Sequence, residues 1–240
     1  MTSSWTKAVC IVVTIISGGY KLNTIAFIDT EIAYDTGRIL DIGGIKEDGS
    51  TFHSNRKDDF IQFLNDTHYI CGHNIIHHDL EYLLDMLQLK VTDRKFIDTL
   101  FLSPLLFPAR PYHALLKDDK LLTDELNNPL NDSIKAKDLF YDEVSAFLRS
   151  DDQLKQIFFT LLKDKTEFCA FFSYLDYQVD NIDIEEVIHQ RFHGKICERA
   201  NVSNMASEFP IELAYCLALI NCNDRYSITP PWVLSTYPDV

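Results

Sequence analysis

The pattern of hydrophobic and polar positions begins with three β-rich segments that are separated by short turns. These segments are Asn23–Ile32, Arg38–Ile45 and Thr51–Ser54. Polar residues and glycines mark the turns at Asp35–Gly37 and Glu47–Ser50. Because the connections are too short for crossovers, the pattern predicts an antiparallel meander.

Helices and strands then alternate up to about residue 150. Helical spacing of apolar residues predicts helices at Asp58–Leu64 and His78–Leu89, and a long helix from Asn128–Pro129 to Leu148. Short apolar runs predict strands at His68–Cys71 and Lys95–Leu102. Later strands can run parallel to the first one, so the pattern predicts an α/β fold with a mixed sheet flanked by helices.

The organisation changes after residue 150, and the apolar spacing is helical almost throughout residues 151–221. The aromatic run Phe168–Tyr174 belongs to this part, and its helical spacing is typical of core packing rather than of base stacking. We expect an N-terminal extension at 1–22, the α/β domain at 23–150, a helical region at 151–226 and a tail that resembles a linker at 227–240.

Composition narrows the setting in which the protein works. The longest early apolar run, Ala8–Ile16, is too short to cross a bilayer; it resembles a signal-peptide core, but a buried strand or an extension is favoured. The six scattered cysteines fit reduced thiols and predict a cytoplasmic protein. The net charge of −14 counts against nucleic-acid binding unless bound cations reverse the local field.

Two acidic residues end the first β-rich segment. Asp29 and Glu31 lie two positions apart, so in a strand their side chains face the same side. Two neighbouring carboxylates in an apolar setting favour a bound cation. For an isolated pair of this kind, a solvated strand end is the more common explanation.

Two further acids stand at predicted helix starts. Asp79 follows Gly72-His73-Asn74, and Asp132 opens the long helix after Pro129. Each can be an ordinary first-turn acid stabilised by the helix dipole. The combination of all four acids, in this order and at these separations, is hard to obtain by chance.

These motifs resemble the DEDD 3′→5′ exonucleases of the ribonuclease-H-like superfamily over residues 23–148, about half of the chain. The resemblance implies a ribonuclease-H-like mixed sheet. It also implies that Asp29, Glu31, Asp79 and Asp132 hold two Mg²⁺ or Mn²⁺ ions, about 3.5–4 Å apart, around the scissile phosphate.

The expected substrate is the 3′ end of a single-stranded or frayed nucleic acid, with DNA favoured over RNA. Residues that adjoin the four acids are candidates for substrate binding. They are Thr30, His73, Asn74 and His78.

The chain departs from the family at the general base. One branch has a histidine five residues before the last aspartate, and another has a tyrosine four residues before it. Asn127 and Asn128 occupy these positions here. Asparagine cannot accept a proton near neutral pH, and general-base catalysis typically contributes about 10²–10⁴-fold. His113 is a candidate substitute, although a surface or supporting histidine is the more common role.

Three functions therefore remain open. The first is an active exonuclease, and the second is a catalytically weakened module that keeps the fold and binds nucleic acid or a partner. The third is an interaction domain that does not touch nucleic acid. The arrangement also resembles the N-terminal part of exonuclease fusions with RecQ-type helicases, so a helicase domain in the same natural chain is an expected partner.

Overall fold

The computed structural model describes residues 24–87, 95–115 and 128–222, with the side chains of 84–87 excepted. Asn127 and the regions predicted as an N-terminal extension and a linker-like tail lie outside the described residues.

The sheet has five strands in the order β3-β2-β1-β4-β5. The strands are β1 (Ile25–Ile32), β2 (Ile39–Lys46), β3 (Thr51–His53), β4 (Tyr69–Gly72) and β5 (Lys95–Asp98). β2 pairs antiparallel with both β1 and β3, whereas β4 runs parallel to both β1 and β5. The predicted meander and the parallel return of the later strands are confirmed.

Helices cover both faces of the sheet and make up the C-terminal part of the described chain. They are α1 (Lys57–Phe63), α2 (Asp79–Leu87), α3 (Thr99–Leu106), α4 (Pro129–Arg149), α5 (Asp152–Leu162), α6 (Cys169–Tyr174), α7 (Ile184–Arg191), α8 (Val202–Glu208) and α9 (Pro210–Cys222). The α/β class and the helical C-terminal part are therefore confirmed.

The predicted strand Lys95–Leu102 is wrong in its second half. β5 ends at Asp98, and Thr99 begins helix α3. The Asp98 side chain caps this helix by accepting a hydrogen bond from the Leu100 N–H. Six of the eight residues of α3 are buried, including Thr99 and Ser103, so the helix has no solvent-facing polar stripe. Periodicity alone cannot separate such a segment from a buried strand.

Two hydrophobic layers fix the helices against the sheet. On one face, Phe27 of β1 packs against Phe140 of α4, with ring centroids 5.6 Å apart. On the other face, Ile28 lies in one apolar cluster with Phe60 of α1 and Leu83 of α2. Successive β1 residues thus alternate between the α4 face and the α1–α2 face, as the strand period requires.

The helical C-terminal part shares the larger of these two cores. Buried residues of α5, α6 and α9 belong to the same cluster as Phe27, and the Tyr215 hydroxyl donates to the Phe101 carbonyl over 2.9 Å. The aromatic side chains of the run Phe168–Tyr174 are buried in this core, which confirms their predicted packing role. In the described part of the chain, every helix is too short or too polar to cross a membrane.

Candidate metal centre

The two acids of β1 lie on the sheet face that α4 covers. Asp29 and Glu31 share this face with Phe27 because they follow it at intervals of two residues. In the register with β2, Asp29 is the partner of Gly43, and Glu31 is the partner of Asp41.

Helix α4 begins directly on this part of the sheet. A Cβ atom added to Gly43 would lie only 2.1 Å from the backbone nitrogen of Leu130, so the first turn of α4 rests on the glycine. The Asn128 side chain caps the helix by accepting from the N–H groups of Leu130 and Asn131, at 3.1 and 3.2 Å. Asp132 follows in the same first turn. The contact therefore brings Asp132 to the face that carries Asp29.

Asp79 reaches the site from the opposite layer. It is the first residue of α2, and only 2% of its surface is exposed. Thr30, which points to the α2 face between Asp29 and Glu31, donates a hydrogen bond to Asp79 Oδ1 over 2.5 Å. This bond places the Asp79 carboxylate at the end of β1, beside the two strand acids.

The electrostatics of Asp29 indicate that the four acids lie together. Burial, and then the negative charges of Asp79, Asp132 and Glu31 in that order, raise the pKa of Asp29 from 3.8 to about 8. Without a counter-charge, Asp29 keeps its proton at neutral pH. A cation that replaces this proton would relieve both the burial and the repulsion.

The carboxylates are not arranged as a finished ligand set. Within 24–87, 95–115 and 128–222, no group of three or more histidine, cysteine, aspartate or glutamate side chains has the arrangement needed to hold a metal ion. Asp79 binds Thr30, and Asp132 Oδ1 lies 3.5 Å from the Lys135 ammonium. The donor set still fits divalent ions, because all four groups offer oxygen and hard cations prefer oxygen.

The structure places His113 against helix α3. It is 4% exposed, and its Nδ1 lies 2.8 Å from the Ser103 hydroxyl on α3. Burial, followed by the positive charge of Arg110, lowers the pKa of His113 to about 4.

The candidate substrate-binding residues occupy different positions. His73 is turned inward, with Nδ1 2.9 Å from the Thr99 hydroxyl, and burial lowers its pKa to about 4. Asn74 takes a left-handed backbone conformation, with φ of 63°, in the loop before α2. The His78 side chain is half exposed, its Nδ1 lies 3.8 Å from Asp79 Oδ2, and interaction with Asp79 raises its pKa. Thr30 and His78 are thus the two that adjoin the acids directly.

The sequence patterns did not identify three residues that are structurally important. Asp98 is fully buried and binds the loop that leads to Asp79. Glu143 is fully buried in α4, and neither of its carboxylate oxygens has a hydrogen-bond partner among the described residues. Gly43 carried a readable signal, since a glycine inside a strand often marks a close backbone approach.

Comparisons with known proteins leave the family of this chain open. No protein-family model matches the chain, and the searches of curated proteins and of solved structures likewise gave no match.

Proposed function

We propose that this protein is a metal-dependent 3′→5′ exonuclease that acts on single-stranded or frayed nucleic-acid ends, with DNA favoured over RNA. Asp29, Glu31, Asp79 and Asp132 would share two Mg²⁺ or Mn²⁺ ions. The resemblance of their motifs to the DEDD exonucleases supplies the reaction class, and the ribonuclease-H-like assignment of the sheet is part of the same proposal.

The observation that carries this proposal is the electrostatic setting of Asp29. Three other acids, from a strand and two helices, raise its pKa together with burial. A fold that gathers buried like charges is destabilised unless a partner neutralises them. Divalent cations are the partners that this oxygen-only donor set fits.

Such a site would also offset, near the substrate, the repulsion that a net charge of −14 exerts on nucleic acid. A pair of bound divalent ions would activate the attacking water and stabilise the leaving 3′-oxygen, and would make the local field attractive to phosphate. The protein side chains would contribute position: the strand acids are fixed by β1, Asp132 by the contact of α4 with Gly43, and Asp79 by Thr30.

The test is digestion of a 5′-labelled single-stranded DNA with Mn²⁺ or Mg²⁺. We expect ladder-like shortening from the 3′ end, which is lost in Asp29→Asn and Asp79→Asn and kept in Asp58→Asn. Asp58 is a matched control because it is an exposed acid in α1, outside the cluster. Circular dichroism spectra would establish that each variant is folded. Equal activity of all four proteins would contradict the proposal.

A second candidate function is supported by Asn127, which stands where the related nucleases have their general base. On this alternative the protein is a catalytically weakened module that keeps the fold and binds nucleic acid or a partner through the metal site. Metal-dependent retention of the DNA without shortening, again lost in Asp29→Asn, would favour the module over the enzyme. If the DNA is neither shortened nor bound, both functions are ruled out.

A further inference from the structure

The buried carboxylate of Asp98 joins the end of β5 to the loop that precedes α2. Its Oδ1 accepts from the N–H groups of Asn74 and Leu100, at 2.8 and 2.9 Å, and its Oδ2 accepts from the Ile76 N–H at 3.0 Å. The side chain is 0% exposed, so these bonds are shielded from water. One of the three bonds caps α3, and the other two hold the loop.

The loop held by Asp98 determines where α2 begins. Asn74 has a positive φ of 63°, which turns the chain sharply after β4. Its carbonyl then accepts from the His78 N–H over 3.0 Å, and the Ile75 carbonyl accepts from the Leu80 N–H over 3.0 Å. These bonds lead directly into Asp79.

We propose that Asp98 is a positioning residue for the candidate metal centre, acting through the Asn74–Ile76 backbone to hold Asp79 beside Asp29. This inference rests on the proposed function, because it assigns Asp98 a role in metal binding. The β5 strand thereby contributes to the site without supplying a ligand.

The decisive variant is Asp98→Ser. Serine is a favoured helix-capping residue, so it can still accept a hydrogen bond from the first turn of α3. Its side chain is short and has one oxygen, so it cannot also accept from the loop. Asp183→Ala is the matched control, because Asp183 caps α7 by accepting from the Glu186 N–H over 3.1 Å, in the helical C-terminal part. Each variant removes hydrogen bonds made by a capping aspartate, but only Asp98→Ser removes bonds to the Asn74–Ile76 loop.

The measurement is Mn²⁺ binding to the whole 240-residue chain, by calorimetry and well below the unfolding temperature, followed by activity as a function of Mn²⁺ concentration. We expect Asp98→Ser to weaken Mn²⁺ binding by about 10–100-fold, as is usual when groups that orient metal ligands are removed. Activity should recover at saturating Mn²⁺. Asp183→Ala should lower the unfolding temperature and leave the Mn²⁺ affinity unchanged.

Asp79→Asn separates failure of this inference from failure of the proposed function. If the wild type binds no Mn²⁺, or if Asp79→Asn binds it as the wild type does, the metal centre itself is wrong and the role of Asp98 falls with it. If Asp79→Asn loses binding while Asp98→Ser keeps wild-type affinity, only the inference about Asp98 is overturned. Should Asp98→Ser fail to fold, Asp98→Asn replaces it. An amide has a single acceptor oxygen, so the asparagine cannot accept from Ile76 and from Asn74 and Leu100 at the same time. Weakened binding supports the inference, and wild-type affinity overturns it.

Discussion

Gly43 lies opposite Asp29 in the β1–β2 register, and the first turn of α4 touches the sheet at this glycine. The space for that contact exists only because residue 43 has no side chain, since a Cβ atom there would meet the Leu130 nitrogen at 2.1 Å. The helix that carries Asp132 is therefore positioned by a glycine on the strand beside Asp29. The packing of α4 on β2 therefore lies beside the candidate metal centre.

We predict that Gly43→Ala displaces the start of α4 and weakens the candidate metal centre. The atoms in the way belong to the backbone of Pro129 and Leu130, which cannot rotate aside. We expect a loss of about 1–3 kcal/mol in the free energy of unfolding, as is common for overpacking. Urea denaturation and Mn²⁺ calorimetry would measure the two effects.

Gly44→Ala is the control for this variant. Residue 44 is on the other face of the same strand, and its added Cβ would meet the ring of Phe63 at 2.9 Å. A side-chain ring can shift, so we expect a smaller loss of stability and unchanged Mn²⁺ affinity. Equal losses of affinity in the two variants would show that the contact with α4 does not position the site.

The sequence was sufficient for the parts of the fold that follow simple periodicity. The alternation along β1 placed Asp29 and Glu31 on one face, and the proline at the start of α4 marked the beginning of that helix correctly. It was insufficient for α3, because a helix buried on most sides has no polar stripe to reveal its period. The role of Asp98 was hidden for a related reason, because the apolar pattern predicts one continuous strand over Lys95–Leu102 and so no helix cap at Asp98.

At the candidate site, the sequence failed to predict contacts for a different physical reason. The hydrogen bond from Thr30 to Asp79 joins residues 49 positions apart, and no local pattern encodes such a pairing. The burial of Glu143 was equally hidden, because a glutamate in a long helix is ordinarily exposed. Sequence motifs could therefore identify the acids as candidates, but tertiary packing determines which residue each acid contacts.

The raised pKa of Asp29 predicts that metal binding depends on pH. An acid that keeps its proton in the folded state stabilises the fold fully below its unfolded pKa, near 3.8, and this contribution is lost as pH rises towards 8. Mg²⁺ would take the place of the proton. We therefore expect saturating Mg²⁺ to raise the unfolding temperature more at pH 8 than at pH 6, as measured by scanning calorimetry.

Asp29→Asn is the control for this pH dependence, because asparagine does not titrate and binds Mg²⁺ poorly. The variant should be stabilised little by Mg²⁺ at either pH. An equal Mg²⁺ effect at pH 6 and pH 8 in the wild type would argue that Asp29 does not exchange its proton for a cation.

The contrast between Asn127 and His113 predicts how a general base could be restored. His113 is buried and bound to Ser103, so we expect His113→Gln to leave the rate of the chemical step unchanged. The resemblance to the DEDD exonucleases implies that Asn127→His supplies the base, with a rise of about 10²-fold or more in the rate of the chemical step. Single-turnover rates from pH 5.5 to 8.5 would measure both effects.

The pH profile distinguishes the two histidines. In Asn127→His the added rate should appear as pH rises through the imidazole pKa, ordinarily about 6.5, because only the neutral ring accepts a proton. A large loss of rate in His113→Gln, with the fold intact, would instead identify His113 as the working base.

Glu143 predicts a pH dependence of stability that is independent of any metal. Burial raises the pKa of its carboxyl group well above the ordinary 4.5, with the negative charge of Asp98 adding to the effect. Above pH 4.5 the unfolded chain ionises while the folded state keeps its proton, so the free energy of unfolding falls as pH rises. Glu143→Gln and Glu143→Leu titrate in neither state, so each should remove this fall, which is at most about 1.4 kcal/mol per pH unit.

Urea denaturation between pH 5 and pH 8, at fixed ionic strength, would compare both variants with the wild type. The two variants separate ionisation from packing, because glutamine keeps a polar group of similar shape and leucine removes it. If the stability difference from the wild type grows with pH equally in both, ionisation of Glu143 is the cause. If it is constant with pH in both, the carboxyl group is already accommodated by partners in the folded protein, and Glu143 is not a buried acid under strain.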